Sequence, residues 1–152
     1  MMLRKQIQEY LSQANLGFKE VGGMAKMDLV DSKKIVLTPP CCFVGLEKKL
    51  AKGNTTSNAV HQKITRQIGI IIVVRNVIGV NDAEGADEAE DLSERVQNCL
   101  IGLSNQSKPS QFDYVSALQY AGGNILSFSN GFLFWRDIYE VDIFARKKIT
   151  NP

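Results

Sequence analysis

Arg66-Gln67-Ile68-Gly69-Ile70-Ile71-Ile72-Val73-Val74-Arg75 decides how this chain folds. Its apolar middle, Ile68 to Val74, is almost entirely β-branched. Such side chains are stiff at χ1 and suit a pleated sheet better than a helix. An unbroken apolar run, as opposed to an alternating one, implies a strand covered on both faces. Charged residues stop the run at each end, and a helix that crosses a bilayer needs about 20 apolar residues, so no membrane span is expected. The stretch reads as the central strand of a sheet, and the rest of the chain as what covers or extends it.

Just upstream, Val60-His61-Gln62-Lys63-Ile64-Thr65 is polar. The strand is therefore expected to begin outside the core, as a ribbon with the segment before it. That segment, Cys41-Cys42-Phe43-Val44, follows Ile35-Val36-Leu37 and Pro39-Pro40. Prolines cannot donate to a ladder, so the pair either separates two extended pieces or lies at a sheet edge. Between the two segments, residues 47–60 are polar around Gly53-Asn54-Thr55-Thr56-Ser57-Asn58. This region is expected to be a long mobile loop or an extended hairpin tip, and loops of such length are usually functional or disordered. Near the start, Leu3, Ile7, Tyr10, Leu11 and Ala14 recur at helical spacing, and Asn15-Leu16-Gly17 ends that helix. Phe18 to Val21 is short and extended, and Met24, Met27 and Leu29 suit one further helical turn.

Downstream of the central strand, Ala89, Leu92, Val96, Cys99, Leu100 and Leu103 form the buried stripe of a helix from Asp87 onward. Asp87, Glu88, Glu90 and Asp91 fall at its start, where carboxylates meet the positive end of the helix dipole. Tyr114 to Ile149 then reads as strands. Ala117 to Ala121 meets Gly122-Gly123-Asn124 and continues as Ile125 to Phe128; Asn130-Gly131 favours a two-residue hairpin turn. In the last strand, Phe132 to Arg146, Trp135, Tyr139, Val141, Ile143 and Ala145 share one face. Arg136, Glu140, Asp142 and Arg146 lie on the other with Ile138 and Phe144, as expected of an antiparallel strand with one dry face. The outline is a single α+β domain over residues 1–152, a mostly antiparallel or mixed sheet with helices packed on it.

A chain of 152 residues buries roughly 70% of its unfolded surface, enough to fold without disulfides or a metal. Cys41, Cys42 and Cys99 are odd in number with two adjacent, which fits small buried thiols in a reducing compartment, not a secreted framework. Charges near the N-terminus stand where a signal peptide would need its apolar core, so a soluble protein not exported by that route is expected.

Little in the sequence points to catalysis. His61 is the only histidine, and Cys41-Cys42 lacks the C-x2-C spacing that lets two thiolates share a zinc ion. A Cys–His nucleophile pair needs a proximity that spacing does not reveal. Neither Gly22-Gly23 nor Gly122-Gly123 has the spacing and lysine of a phosphate-binding loop. Asp82, Glu84 and Asp87 lack the alternating oxygen ligands of an EF-hand. No catalytic residue, metal or cofactor is expected. The net charge of +2 is too small to imply nucleic-acid binding, although locally the charge is uneven. Lys48, Lys49, Lys52 and Lys63 flank the polar loop, and Arg146, Lys147 and Lys148 end the last strand. These seven suit non-specific phosphate contact, but no interleaved aromatic supports single-strand stacking; solvated faces are the plainer reading.

Pro40-Cys-Cys-Phe43-Val44 before a polar loop, the apolar strand ending at Val74-Arg75, the helix with Leu92, Val96 and Leu100, and Leu118-Gln-Tyr120-Ala-Gly122-Gly123-Asn-Ile125 leading to Phe134-Trp135 and Tyr139-Glu-Val141 together resemble one family. It is that of the tail terminator, or tail completion, proteins of long-tailed bacteriophages, particularly the Mu-like type. The Leu-x-Tyr-x-Gly-Gly piece is the most specific part, and the resemblance runs from Ile35 to Arg146. The polar region after Val44 is longer than the family pattern, and a tryptophan–proline element after the helix is absent, with Ser107-Lys108-Pro109 in its place. The resemblance implies a virion tail protein without enzymatic activity, assembled in the host bacterial cytoplasm. It implies a homo-oligomer, usually a hexameric ring, that caps the tail tube protein, stops its polymerisation and receives the head completion or connector protein. Genome DNA would pass through the lumen, where the basic residues named above are candidate contacts. Other readings fit the same residues: a head–tail joining or tail tube protein, or a small α+β enzyme or ligand-binding protein with no visible site.

Overall fold

The computed structural model describes residues 3–24, 37–54, 56–76, 83–103, 112–114 and 116–148. Its spine is a pair of 17-residue strands, β3 (Ala59–Arg75) and β6 (Phe132–Lys148). They form an antiparallel ladder without a break from Ala59 opposite Lys148 to Arg75 opposite Phe132. At about 3.4 Å per residue each strand is on the order of 55 Å long. Around them lie α1 (Leu3–Gln13), β1 (Glu20–Gly23), β2 (Cys41–Ala51), α2 (Glu84–Leu100), β4 (Phe112–Tyr114) and β5 (Gln119–Ser129). The six strands run β1-β2-β3-β6, with β4 and β5 both paired to the far side of β6. Every pairing is antiparallel except that of β1 with β2. This is the expected α+β architecture, with β3 between β2 and β6.

The apolar run of β3 is covered on both sides. Ile68, Ile70, Ile72 and Val74 pack with Cys42 and Val44 of β2, Leu133, Tyr139 and Val141 of β6, and the apolar stripes of both helices. Ile71 and Val73 face the other way, with Leu37, Cys41, Phe43 and Phe134. A period of two therefore sends one continuous apolar run into two separate cores. Either side alone would have called for polar residues at alternate positions.

Several expectations shift by a turn or a few residues. In α1 only Leu3, Ile7 and Leu11 are buried; Ala14 is exposed and Tyr10 is 43% exposed. A narrow i, i+4 stripe is enough for a helix lying over β1 and β2 at the rim of the sheet. α2 begins at Glu84, three residues before the expected Asp87, so Glu84 and Asp87 occupy its first turn while Glu88, Glu90 and Asp91 lie on its exposed outer face. Its stripe also includes Ser93, which the apolar pattern omitted, while Cys99 and Leu103 pack at the margin. Pro39-Pro40, joined by a cis peptide, precedes β2; since β2 pairs on both sides over Cys41–Val44, the prolines mark a strand entry and not a sheet edge. Most of the expected Met24–Leu29 turn, and Ile35 and Val36, lie outside the described residues.

At the other end, β5 runs straight through Gly122-Gly123 as one strand, with irregularities between Tyr120 and Gly122 and between Ile125 and Ser127 absorbing the extra residues. Pairing with β6 overrides the local preference of two glycines for a break. Ser129 pairs with Phe132 across Asn130 and Gly131, whose positive φ values of 52° and 78° make the two-residue turn that Asn-Gly chemistry favours. The last strand alternates as expected, with Tyr139, Val141 and Ile143 buried.

Candidate functional site

Residues 47–60 are mostly not a loop. β2 extends to Ala51 and β3 begins at Ala59, leaving 52–58 as the tip of a long hairpin. The backbone N–H of Lys52 donates to the carbonyl of Lys63 at 2.9 Å. The Asn54 amide closes the tip: Nδ2 donates to the carbonyls of Thr56 (2.8 Å) and Ala59 (3.0 Å), and Oδ1 accepts from the His61 N–H at 2.8 Å. Of the two expected forms, loop or extended hairpin, the chain takes the second. Beyond Gln67 the sheet thus continues as an arm made of the outer parts of β2, β3 and β6, with β4 along the far edge of β6; Val141 and Ile143 of β6 are still buried there, but no described residue of β2 or β3 in the arm is.

This arm brings the two basic clusters together. Lys48, Lys49 and Lys52 are exposed on β2 and at the tip. On the far side of β3, the register sets Arg146, Lys147 and Lys148 opposite His61, Val60 and Ala59, with Lys147 exposed. Lys63 lies on β3 between them, but its ammonium is 3.3 Å from the Asp142 carboxylate, so its charge is partly answered within the chain. All seven candidate residues therefore belong to one end of the molecule, which their separation in sequence did not reveal.

Cross-strand polar pairs hold the arm's open face, standing in for an apolar core. Thr65 donates through Oγ1 to Asp142 at 2.6 Å, and Gln67 through Nε2 to Glu140 at 2.7 Å. His61 packs against Phe144, the ring planes tilted by 33° and the centroids 4.6 Å apart. Where the arm meets the covered sheet, the Glu47 carboxylate lies across Gly69 and comes within 3.8 Å of Arg136. A Cβ at position 69 would collide with Glu47, so glycine is what lets a β2 side chain cross β3 to reach β6.

Among the described residues the core holds one charged group, and sequence reading missed it. Asp137 has no exposed surface and takes three hydrogen bonds: from Ser93 Oγ on α2 (2.6 Å), Tyr120 O–H on β5 (3.0 Å) and Trp135 Nε1 on its own strand (2.8 Å). Gln97 extends the network to Ser93 at 3.1 Å. Burial, then the nearby Asp137 carboxylate, pushes the Tyr120 phenol up to about 12. The signal was present: position 137 has the inward parity of Trp135 and Tyr139 in an alternating strand. The network ties α2, β5 and β6 together beneath the helix; three donors to one carboxylate make a structural clamp.

The remaining candidates separate. Cys41 and Cys42 are fully buried at the end of β3 opposite to His61, paired with Val73 and Ile72, so no Cys–His pair forms. Burial pushes the Cys42 and Cys99 thiols up, away from the thiolate a nucleophile needs. Gly122 and Gly123 are strand residues. Among the described residues no group of three or more His, Cys, Asp or Glu side chains is placed to hold a metal ion, and no helix is long and apolar enough to cross a membrane.

Comparison with curated proteins returned no match. A family model described as "Phage tail terminator protein" aligns with residues 3–151, from the first turn of α1 to beyond the end of β6. It thus takes in the two-sided core, the arm and the β5–β6 hairpin together. The chain belongs to the phage tail terminator family, a structural family of the virion tail.

Proposed function

We propose that this protein forms a closed ring of identical subunits, hexameric as in the family pattern, that caps the tail tube, stops its polymerisation and offers the surface to which the head completion or connector protein attaches. The activity is binding and termination, without catalysis, and assembly takes place in the host cytoplasm. The observation that carries this reading is the arm. Beyond the two cores around Ile68–Val74, the extensions of β2 and β3 bury none of their described residues, and they carry exposed lysines together with exposed Leu46, Leu50 and Val60. Such a projection suits contact with a neighbour. In a ring each subunit meets the next through two different surfaces, and an arm opposite a flank of the same sheet supplies that asymmetry. Lys48, Lys49, Lys52, Lys63, Arg146, Lys147 and Lys148, gathered at one end, suit loose contact with the phosphates of DNA passing through the lumen.

Sedimentation of the purified chain, alone at raised concentration and with purified tail tube protein, tests the reading. A multiple of the 16.9 kDa single-chain mass is expected in at least the second condition. A single-chain mass in both contradicts it.

A further inference from the structure

Among the described residues, no charge, proline or covering element protects the outer edge of β5. Soluble proteins blunt sheet edges with charge, proline, shortness or a covering element, because a row of unpaired N–H and C=O groups invites another strand. β5 has 11 residues and neither a charged residue nor a proline. Among the described residues it pairs only with β6. Its apolar side chains lie open beside that edge: Leu126 is 43% and Phe128 58% exposed, with Ile125 next to them.

A second open edge lies on the opposite side of the sheet. β1 covers β2 only over Cys41–Val44, so the part of β2 that belongs to the arm, residues 46–51, pairs among the described residues with β3 alone. This edge carries Lys48 and Lys49, with Lys52 just beyond, and the exposed leucines Leu46 and Leu50. Two such edges repel each other. Charge complementarity lies instead with the flank of β5. α2 is tied to the start of β5 by the Gly102 N–H donating to Leu118 at 3.0 Å and the Leu118 N–H donating to Leu103 at 2.9 Å. Arg95 reaches from α2 toward α1, to the Leu16 carbonyl at 3.1 Å. At about 100° per residue, Glu90 lies roughly 140° round α2 from Arg95, on the side away from α1 and toward β5, with Glu94 beside it further toward solvent, and both are exposed.

We propose that the β5 edge seats a second copy of this chain, which lays the open edge of its arm, residues 46–51 of β2, along β5. This rests on the ring reading above and specifies which two surfaces meet. Main-chain hydrogen bonds extend one sheet into the next, Leu46 and Leu50 cover Ile125, Leu126 and Phe128, and Lys48 and Lys49 approach Glu90 and Glu94, which leaves the other five basic residues of the arm for the lumen. The contact joins unlike surfaces, so each copy keeps one free arm and one free β5 edge until the ring closes.

The test compares the parent chain, Leu126→Lys, and Lys48→Glu with Lys49→Glu by sedimentation, each with purified tail tube protein. The parent is expected to assemble. Leu126→Lys is expected to stay at the single-chain mass with an unchanged urea midpoint, since the site is exposed. The double lysine variant is expected to lose assembly and to regain it when Glu90→Lys and Glu94→Lys are added. A Leu126→Lys chain that assembles like the parent overturns this contact and leaves the ring reading standing. A parent that never assembles overturns the ring reading, and this contact with it. Mixing Ser127→Cys with Lys49→Cys under mild oxidation gives an independent readout. A disulfide between the two variants is expected; cross-linking of Ser127→Cys to itself, or none in an assembled mixture, overturns the proposal.

Discussion

β3 is one strand with two characters. From Ile68 to Val74 it is buried on both faces, whereas from Ala59 to Gln67 it is only partly covered, and Lys63, Thr65 and Gln67 reach carboxylates of β6. The backbone ladder passes from one half to the other without interruption. Pairing with β6 is therefore the same in both, while the β2 ladder shifts register between Leu46 and Lys49, where the two halves meet; the larger difference is what the side chains face. The buried half sets the fold, because each of its side chains adds to one of two cores. The arm depends on that half for its position, and what its surface offers is contact.

Single substitutions should expose this difference. The largest effect is expected at Ile70→Asp, which places an unpaired charge between β2 and β6. That costs several kcal/mol or more, set against a total stability on the order of 5–15 kcal/mol. The expected result is no folded protein by circular dichroism. Gln62→Glu, on the same strand but in the arm, is expected to change the urea midpoint by the equivalent of about 0.5 kcal/mol or less. If the two substitutions cost the same, the division of β3 fails.

Next comes Asp137→Ala. It leaves the Ser93, Tyr120 and Trp135 donors without their acceptor beneath α2, at a cost on the order of 3 kcal/mol. Urea unfolding followed by Trp135 fluorescence reads it, and a loss under about 1 kcal/mol would deny Asp137 its clamping role.

Tyr120→Phe removes one of those donors and is expected to cost about 1 kcal/mol at pH 7. The sign of its pH dependence follows from a phenol raised to about 12 in the folded chain from an ordinary value near 10. The Tyr120 contribution is fully present below pH 10 and is lost as pH rises through 12. The gap in stability between parent and variant should therefore narrow between pH 10 and pH 12. A gap that is constant, or that widens, would show that the phenol does not donate to Asp137.

The smallest effect on stability is expected from shortening the 52–58 tip to a two-residue turn. The Asn54 hydrogen bonds are lost, yet the ladder below them remains, so the urea midpoint should move little while tube capping is impaired. Unchanged capping would make the tip a tolerated extension with no part in assembly.

The same comparison explains what was legible in the sequence. Ile68–Val74 identified itself, because an unbroken β-branched run has few uses other than a strand covered twice. The arm was half legible: Val60–Thr65 read as a ribbon, but its partner in β2 is Lys-rich and looked like a loop. Only the long-range register with β6 shows that Lys147 lies opposite Val60, and that the two basic clusters share one end. Gly122-Gly123 alone could not say whether the two apolar pieces join, since local propensity says nothing of the β6 strand that holds β5 extended. Asp137 was legible in parity alone, while its donors Ser93 and Tyr120 arrive from elements that only the fold brings together.

Tail length measures the central claim most directly. Particles assembled with and without this protein can be compared by negative-stain imaging, with the distribution of tail lengths as the readout. A terminator predicts uniform tails when it is present and tails of abnormal length, unattached to heads, when it is absent. Tails of normal and uniform length formed in its absence would contradict the account.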